Sequence, residues 1–205
     1  MISLHEYYEN YLNNANIIDD FSLDANHCLP TLDYGVECTK KKSPYLGLCH
    51  HDGAGLALQQ LYDNKLSPYV TAKSANLQLF DQSEFVTGTP SQISVDSSGY
   101  IYIPSACAAG GTTPCKLHVS FHGCLQDRKS IGDVYAANAG FNQWAEANNI
   151  VVVYPYAVAN AVLGNPNACW DWWGYNDNYK TTTYVQQTGV QIKMTKAIVD
   201  RIMGK

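Results

Sequence analysis

Residues 116–124 read Lys-Leu-His-Val-Ser-Phe-His-Gly-Cys (KLHVSFHGC), and residues 150–155 read Ile-Val-Val-Val-Tyr-Pro (IVVVYP). The first stretch predicts a strand over Lys116–Phe121 that stops at a turn. The second carries no charge, as befits a central parallel strand covered on both faces, and Pro155 ends it. Between them Ile131, Val134, Tyr135, Phe141, Trp144 and Ala145 recur at helical spacing and predict a helix. After a loop, Val190, Met194, Ala197, Ile198 and Ile202 mark a last helix. Strand, helix, strand, loop, helix is the order of an α/β fold with a parallel sheet.

The first half is less regular. Leu4, Tyr7, Tyr8, Tyr11, Leu12 and Ala15 predict an amphipathic helix, and Ile17-Ile18 a brief strand. Residues 22–52 are loop-like, rich in Pro, Gly, Cys and Asp. Ala54, Ala57, Leu58, Leu61 and Tyr62 mark a second helix, with Asp52 as its N-terminal cap. Leu77–Phe80 and Gly99–Pro104 predict strands.

The 205 residues carry 46% hydrophobic and 15% charged residues, enough apolar surface for one folded domain over 1–205. A net charge of −5 without a basic stripe argues against nucleic acid as a partner. Lys40-Lys41-Lys42 reads as a solvated loop. No apolar stretch reaches the ~20 residues that span a bilayer, so no membrane partner is expected. The opening MISLHEYYENYL lacks the basic and apolar regions of a signal peptide. Yet seven cysteines, among them Cys38/Cys49 and Cys107/Cys115 flanking short loops, suit an extracellular or other oxidising compartment. Their spacing suggests no metal site, and the adjacent His50-His51-Asp52 is poorly arranged for one.

A strand that runs into His122-Gly123 delivers backbone N–H groups to the crevice at its carboxyl end. In α/β-hydrolases such a loop supplies one oxyanion-hole donor. Gly123 would allow the sharp turn, and the donor would be the N–H of Cys124. His27 lies in Asp24-Ala25-Asn26-His27-Cys28-Leu29-Pro30-Thr31, a loop from which an imidazole could reach a nucleophile. An ordinary strand–turn–helix and an ordinary surface histidine fit these residues too, and pattern alone leaves both open.

Larger blocks carry a resemblance. His27-Cys28-Leu29-Pro30-Thr31, Tyr34-Gly35, Cys38, Ser43-Pro44-Tyr45, Cys49 and Ala54-Gly55 form the first. Tyr100–Cys107, then Cys115 through Cys124-Leu125-Gln126, form the second. Asn165-Pro166-Asn167-Ala168-Cys169-Trp170-Asp171-Trp172-Trp173-Gly174-Tyr175 is the third. In this order they resemble the later part of extracellular polyhydroxybutyrate depolymerases, from about residue 5 to the end. The resemblance implies a polyester or short hydroxyalkanoate ester as substrate and no cofactor. It implies His27 as catalytic base, Gly123 and the Cys124 N–H at the oxyanion hole, and Trp170, Trp172, Trp173 and Tyr175 along the substrate crevice. It also implies bridges Cys38–Cys49, Cys107–Cys115 and Cys124–Cys169, with Cys28 left over.

No G-x-S-x-G occurs, and no acid loop precedes His27. In an ordinary α/β-hydrolase the oxyanion strand comes before nucleophile, acid and histidine; here the histidine comes first. One subgroup of the resembled family is circularly permuted in that sense, with nucleophile and acid earliest. The expectation is an α/β-hydrolase-like parallel sheet with flanking helices, permuted and incomplete, lacking its nucleophile strand. Such a chain, whether truncated, split or mis-started, would be inactive alone and completed by an N-terminal segment or partner chain. Two other readings stand beside it. One is a non-catalytic polymer-binding module with Trp170, Trp172, Trp173, Tyr175 and Tyr184 as its platform. The other is a cysteine nucleophile at Cys28.

Overall fold

The computed structural model describes residues 2–13, 16–109 and 114–205. Helix α1 (Ile2–Glu9) opens the chain. Three short strands, β1 (Leu29–Thr31), β2 (Val36–Glu37) and β3 (Leu46–Leu48), form a small parallel sheet in the order β1-β3-β2. Helix α2 (Gly53–Leu61) follows, then strands β4 (Leu77–Asp81), β5 (Ser98–Tyr102) and β6 (Lys116–Val119). Three short helices, α3 (Arg128–Ile131), α4 (Val134–Asn138) and α5 (Phe141–Asn148), lead to β7 (Ile150–Tyr154), and α6 (Val190–Met203) closes the chain.

The main sheet has the order β4-β5-β7-β6. All five residues of β7 are buried, as its uncharged run predicts. Alternation sorts them by face. Ile150, Val152 and Tyr154 pack with Leu58, Trp144 and Tyr102 under α2 and α5. Val153 points the other way, to Met194 and Ile198 of α6. The parallel arrangement expected of the α/β fold is present in the small sheet and at the β6–β7 pair, and one strand of the main sheet, β5, runs against it. β6 and β7 are parallel, but β7 is antiparallel to β5 and β5 to β4. An apolar run reports that a strand is covered, not which way its neighbours run.

The helix foreseen between β6 and β7 is three helices. Gly132 and Gly140 adopt φ +66° and +94°, in the left-handed region where glycine is at ease, and each interrupts the helical hydrogen bonding. Asp52 caps α2 as read, accepting from Gly55 N–H at 2.8 Å, and its other oxygen accepts from Trp144 Nε1 at 2.9 Å. The loop-like 22–52 segment instead holds the small parallel sheet, whose strands are too short to show periodicity. Ile17 and Ile18 form no strand.

Helix α1 ends at Glu9, so Leu12 lies beyond it, and Ala15 lies outside the described residues. Leu4, Tyr7 and Tyr8 on the helix are exposed, as is Tyr11 beyond its end. Among the described residues no helix is long and apolar enough to cross a membrane.

Candidate active site

β6 runs out at Val119 and hands the chain to Ser120-Phe121-His122-Gly123-Cys124 beside the carboxyl end of β7. The loop is held from several sides. Tyr135 donates to Phe121 O at 2.8 Å and shares a 2.9 Å hydroxyl contact with Ser120; burial pushes its phenol up to about 12. His122 is buried, and burial pushes its pKa below the ordinary histidine range. Its Nε2 accepts from Ala157 N–H at 3.0 Å, so Nδ1 carries the proton and donates to Gly123 O at 2.7 Å. A neutral imidazole thus ties the loop to the segment after β7 and is unavailable for proton transfer.

Gln126 does the rest. Its Oε1 accepts from Gly123 N–H at 2.7 Å, and its Nε2 donates to Pro44 O at 2.8 Å and Tyr45 O at 3.3 Å. Gly123 N–H is therefore occupied. The next amide, Cys124 N–H, has no hydrogen-bond partner among the described residues. The sharp turn falls two residues later than foreseen. Leu125, not Gly123, takes a left-handed conformation, with φ +62°. A Cβ at 123 would meet Gln126 Oε1 at 3.0 Å, so a side chain there would press on the group that accepts from Gly123 N–H.

The His27 segment faces this loop. Asn26 N–H donates to Cys38 O at 2.9 Å and Asn26 Nδ2 to Thr39 O at 3.0 Å, while Asn26 Oδ1 accepts from His27 N–H at 2.7 Å. Leu29 N–H bonds Tyr45 O at 2.9 Å. The backbone is fixed and the ring of His27 is left exposed, with no bond to another described residue. His27, Gly123 and Cys124 line one cavity of about 590 Å³, together with Cys28, Lys41, Tyr45 and Gln126. Lys41, read as plain solvated charge, is part of that wall.

All three bridges are present: Cys38–Cys49, Cys107–Cys115 and Cys124–Cys169. The third joins the His122-Gly123-Cys124 loop to the tryptophan loop, where Leu125 N–H also bonds Asn167 O at 2.8 Å. Cys28 is the free thiol. Burial raises its pKa, which disfavours the thiolate a cysteine nucleophile requires.

Trp170 and Trp172 line a second cavity, about 780 Å³, which shares Phe121 with the first and runs along α6 past Val190, Ile192 and Val199. Trp172 is 71% exposed. Trp173 lines neither cavity and stacks edge-on between Trp172 and Tyr175. Tyr175 departs from the expected crevice wall. It is 1% exposed, donates to Cys169 O at 2.8 Å and accepts from Gln191 Nε2 at 2.8 Å. Its hydroxyl secures the loop from behind, where no substrate reaches.

The holding roles of Gln126 and His122 escaped the sequence reading because their partners, Pro44 and Ala157, are remote along the chain. The sequence around Gln126 does contain a signal, since Cys124-Leu125-Gln126 ends a family-like block.

No family model matches the chain. Among curated proteins, a poly(3-hydroxybutyrate) depolymerase of Delftia acidovorans is 39% identical over 203 residues, covering 98% of this chain and 39% of that protein. A polyhydroxybutyrate depolymerase of Talaromyces funiculosus is 36% identical over 208 residues, covering 95% of this chain and 60% of its own length. The crystal structure of the PHB depolymerase from Penicillium funiculosum superimposes with a TM-score of 0.87 at 34% identity, covering all of this chain and 65% of the other. A structure of a PHB depolymerase complexed with an R3HB trimer gives 0.84, also at 34% identity. In sequence and in its α/β-hydrolase-like fold, this chain is a homologue of the polyhydroxybutyrate depolymerases, matching them over nearly all of its own length and 39–65% of theirs.

Proposed function

We propose that the chain supplies the histidine and one oxyanion donor of a serine-dependent polyester hydrolase. In this reading residues 1–205 are one partial, circularly permuted α/β-hydrolase domain, and the nucleophile and acid come from elsewhere. The observation that carries it is the sharing of one cavity by the unbonded ring of His27 and the unbonded amide of Cys124. The amide's neighbour is already satisfied by Gln126. Cys124 is exposed, so its free amide is open to a ligand entering the cavity, and an oxyanion is an acceptor such a donor suits.

The chemistry follows from that placement. A serine hydroxyl attacks the ester carbonyl while His27 takes its proton, and the carbonyl oxygen becomes an oxyanion held by Cys124 N–H. Collapse expels the alcohol, which takes the proton back from the imidazole. Water then repeats the sequence on the acyl-enzyme. No step needs a metal or cofactor. The relatives' names point to poly(3-hydroxybutyrate) or short hydroxyalkanoate esters as substrate, and three bridges suit an extracellular or other oxidising compartment.

Without a nucleophile the isolated chain is expected to be inactive. Incubation with a p-nitrophenyl ester should release no phenolate above the buffer rate, and a serine-directed phosphonate should leave the mass of the chain unchanged. Rapid, phosphonate-sensitive hydrolysis would overturn the reading.

The exposure of Trp172 favours a second reading, a polymer-binding module. Large aromatic faces contribute strongly to interfaces. Trp172→Ala should lower retention on polyester granules at least fivefold in a sedimentation assay while thermal stability stays unchanged. Equal retention of both proteins removes the platform.

A further inference from the structure

The cavity that holds His27 also holds a thiol which the ester chemistry leaves idle. Cys28 is free and partly buried, and it lies against the Cys38–Cys49 bridge. Gly47, in the middle of β3, makes the room. A Cβ built there would lie 2.5 Å from Cys28 Sγ and 3.0 Å from Cys49 Sγ, so the free thiol and a bridge sulfur share the space that the glycine leaves. The register of the small sheet brings this about, since Pro30 pairs with Gly47 and Cys28 lies just before it in the chain. Cys28 Sγ is also a weak donor to Cys38 O, at 3.9 Å. One thiol thus touches both halves of the bridge. The same bridge anchors the His27 segment, because Cys38 O accepts from Asn26 N–H at 2.9 Å and Asn26 Oδ1 accepts from His27 N–H at 2.7 Å.

We propose that Cys28, Cys38 and Cys49 form an intramolecular thiol–disulfide switch, which moves the covalent anchor of the His27 segment from residue 38 to residue 28. The Cys28 thiolate attacks Cys49 Sγ. The Cys28–Cys49 bond forms, the Cys38–Cys49 bond breaks, and Cys38 leaves as a thiolate that takes up the proton Cys28 gave away. One bridge and one thiol are present before and after, so no outside oxidant or reductant is consumed. Burial raises the pKa of Cys28 and slows the attack. Its place beside the target sulfur works the other way, because no bimolecular encounter is needed. In the exchanged form the bridge is attached to the residue next to His27, and Cys38 O is no longer held covalently behind Asn26. The exchange stands without the hydrolase reading; only its consequence for a His27 base rests on that reading.

The test uses the full 205-residue chain with its three bridges formed. A limiting amount of N-ethylmaleimide is added under mildly alkaline conditions, and digestion in acid followed by mass spectrometry locates the label and the bridges. At least a tenth of the label should lie on Cys38, together with a Cys28–Cys49 peptide pair, while Cys107–Cys115 and Cys124–Cys169 stay intact. Gly47→Ala presses a methyl group on both sulfurs and should lower the label on Cys38 at least tenfold. Label on Cys28 alone, or a Cys28–Cys38 pair, overturns the proposal. So does label spread over all seven cysteines, which would mean exchange through unfolding. Cys38→Ser traps the exchanged form: under oxidised glutathione it should close the Cys28–Cys49 bridge and shift the ring resonances of His27 from their positions in the parent. Should Gly47→Ala fail to fold, Cys38→Ser decides alone. Failure to close that bridge, or closure with the His27 resonances unmoved, overturns the switch. None of these readouts uses ester hydrolysis, so their failure is distinguishable from that of the hydrolase reading.

Discussion

His27→Ala lowers kcat roughly ten-thousand-fold or more, with little change in KM, in an esterase reconstituted from this chain and a nucleophile-bearing segment. The magnitude follows from the role. A serine hydroxyl is a weak nucleophile at neutral pH, and removal of its base costs nearly as much as loss of the nucleophile itself. The residual rate comes from binding and oxyanion stabilisation, which the substitution leaves in place. Geometry makes the substitution clean. The position of the loop is set by Asn26 through its bonds to Cys38 O and Thr39 O, not by the imidazole, which bonds no other described residue. The variant should therefore unfold at the same temperature as the parent. Single-turnover kinetics with a p-nitrophenyl ester measure the effect. A loss under tenfold would remove His27 from the chemistry and point to another base in the cavity.

Replacing Cys124 and Cys169 together by serine is expected to cost about 4 kcal/mol of stability, the most of the three bridges. The bridge closes a 45-residue separation, against 8 for Cys107–Cys115 and 11 for Cys38–Cys49. Loop-closure entropy grows with the logarithm of that length and gives about 2.5–3 kcal/mol for each of the shorter loops. The bridge also holds the loop that presents Cys124 N–H, with Leu125 N–H to Asn167 O as the adjoining tie. Its loss frees one end of that loop from the tryptophan segment. Urea titrations of the three double variants measure the order. A smaller loss at Cys124–Cys169 than at Cys107–Cys115 would show that the native loop is held by Asn167 and Gln126 without the covalent tie.

Much of the fold could be read from residues alone. Ile150–Tyr154 announced a covered central strand because its run carries no charge, and Val190–Met203 a helix because its apolar positions share one face. The three pairings among Cys38, Cys49, Cys107, Cys115, Cys124 and Cys169 came from resemblance and are those observed. The helix before β7 was misjudged as continuous because apolar spacing persists across Gly132 and Gly140, although the backbone turns there.

The candidate site was legible only in part. His27 and the His-Gly turn were named from motif and order, and both line one cavity. The Cys124 N–H was named as the donor, but what occupies the neighbouring Gly123 N–H was not legible. It depends on Gln126 reaching Pro44 and Tyr45, 82 and 81 positions away, while capping Gly123. Tyr175 likewise looked like crevice wall in a tryptophan-rich run, and its burial behind Cys169 depends on Gln191 of α6.

By itself the sequence determined the strands of the main sheet, helices α2 and α6, the kinship, and the absence of a G-x-S-x-G elbow, because these are local patterns of side-chain type and spacing. Tertiary structure alone decided the mixed direction of the sheet, the neutral His122 and the unbonded amide of Cys124. Each of those depends on which distant group arrives to accept or donate a hydrogen bond, and no periodicity along the chain records that.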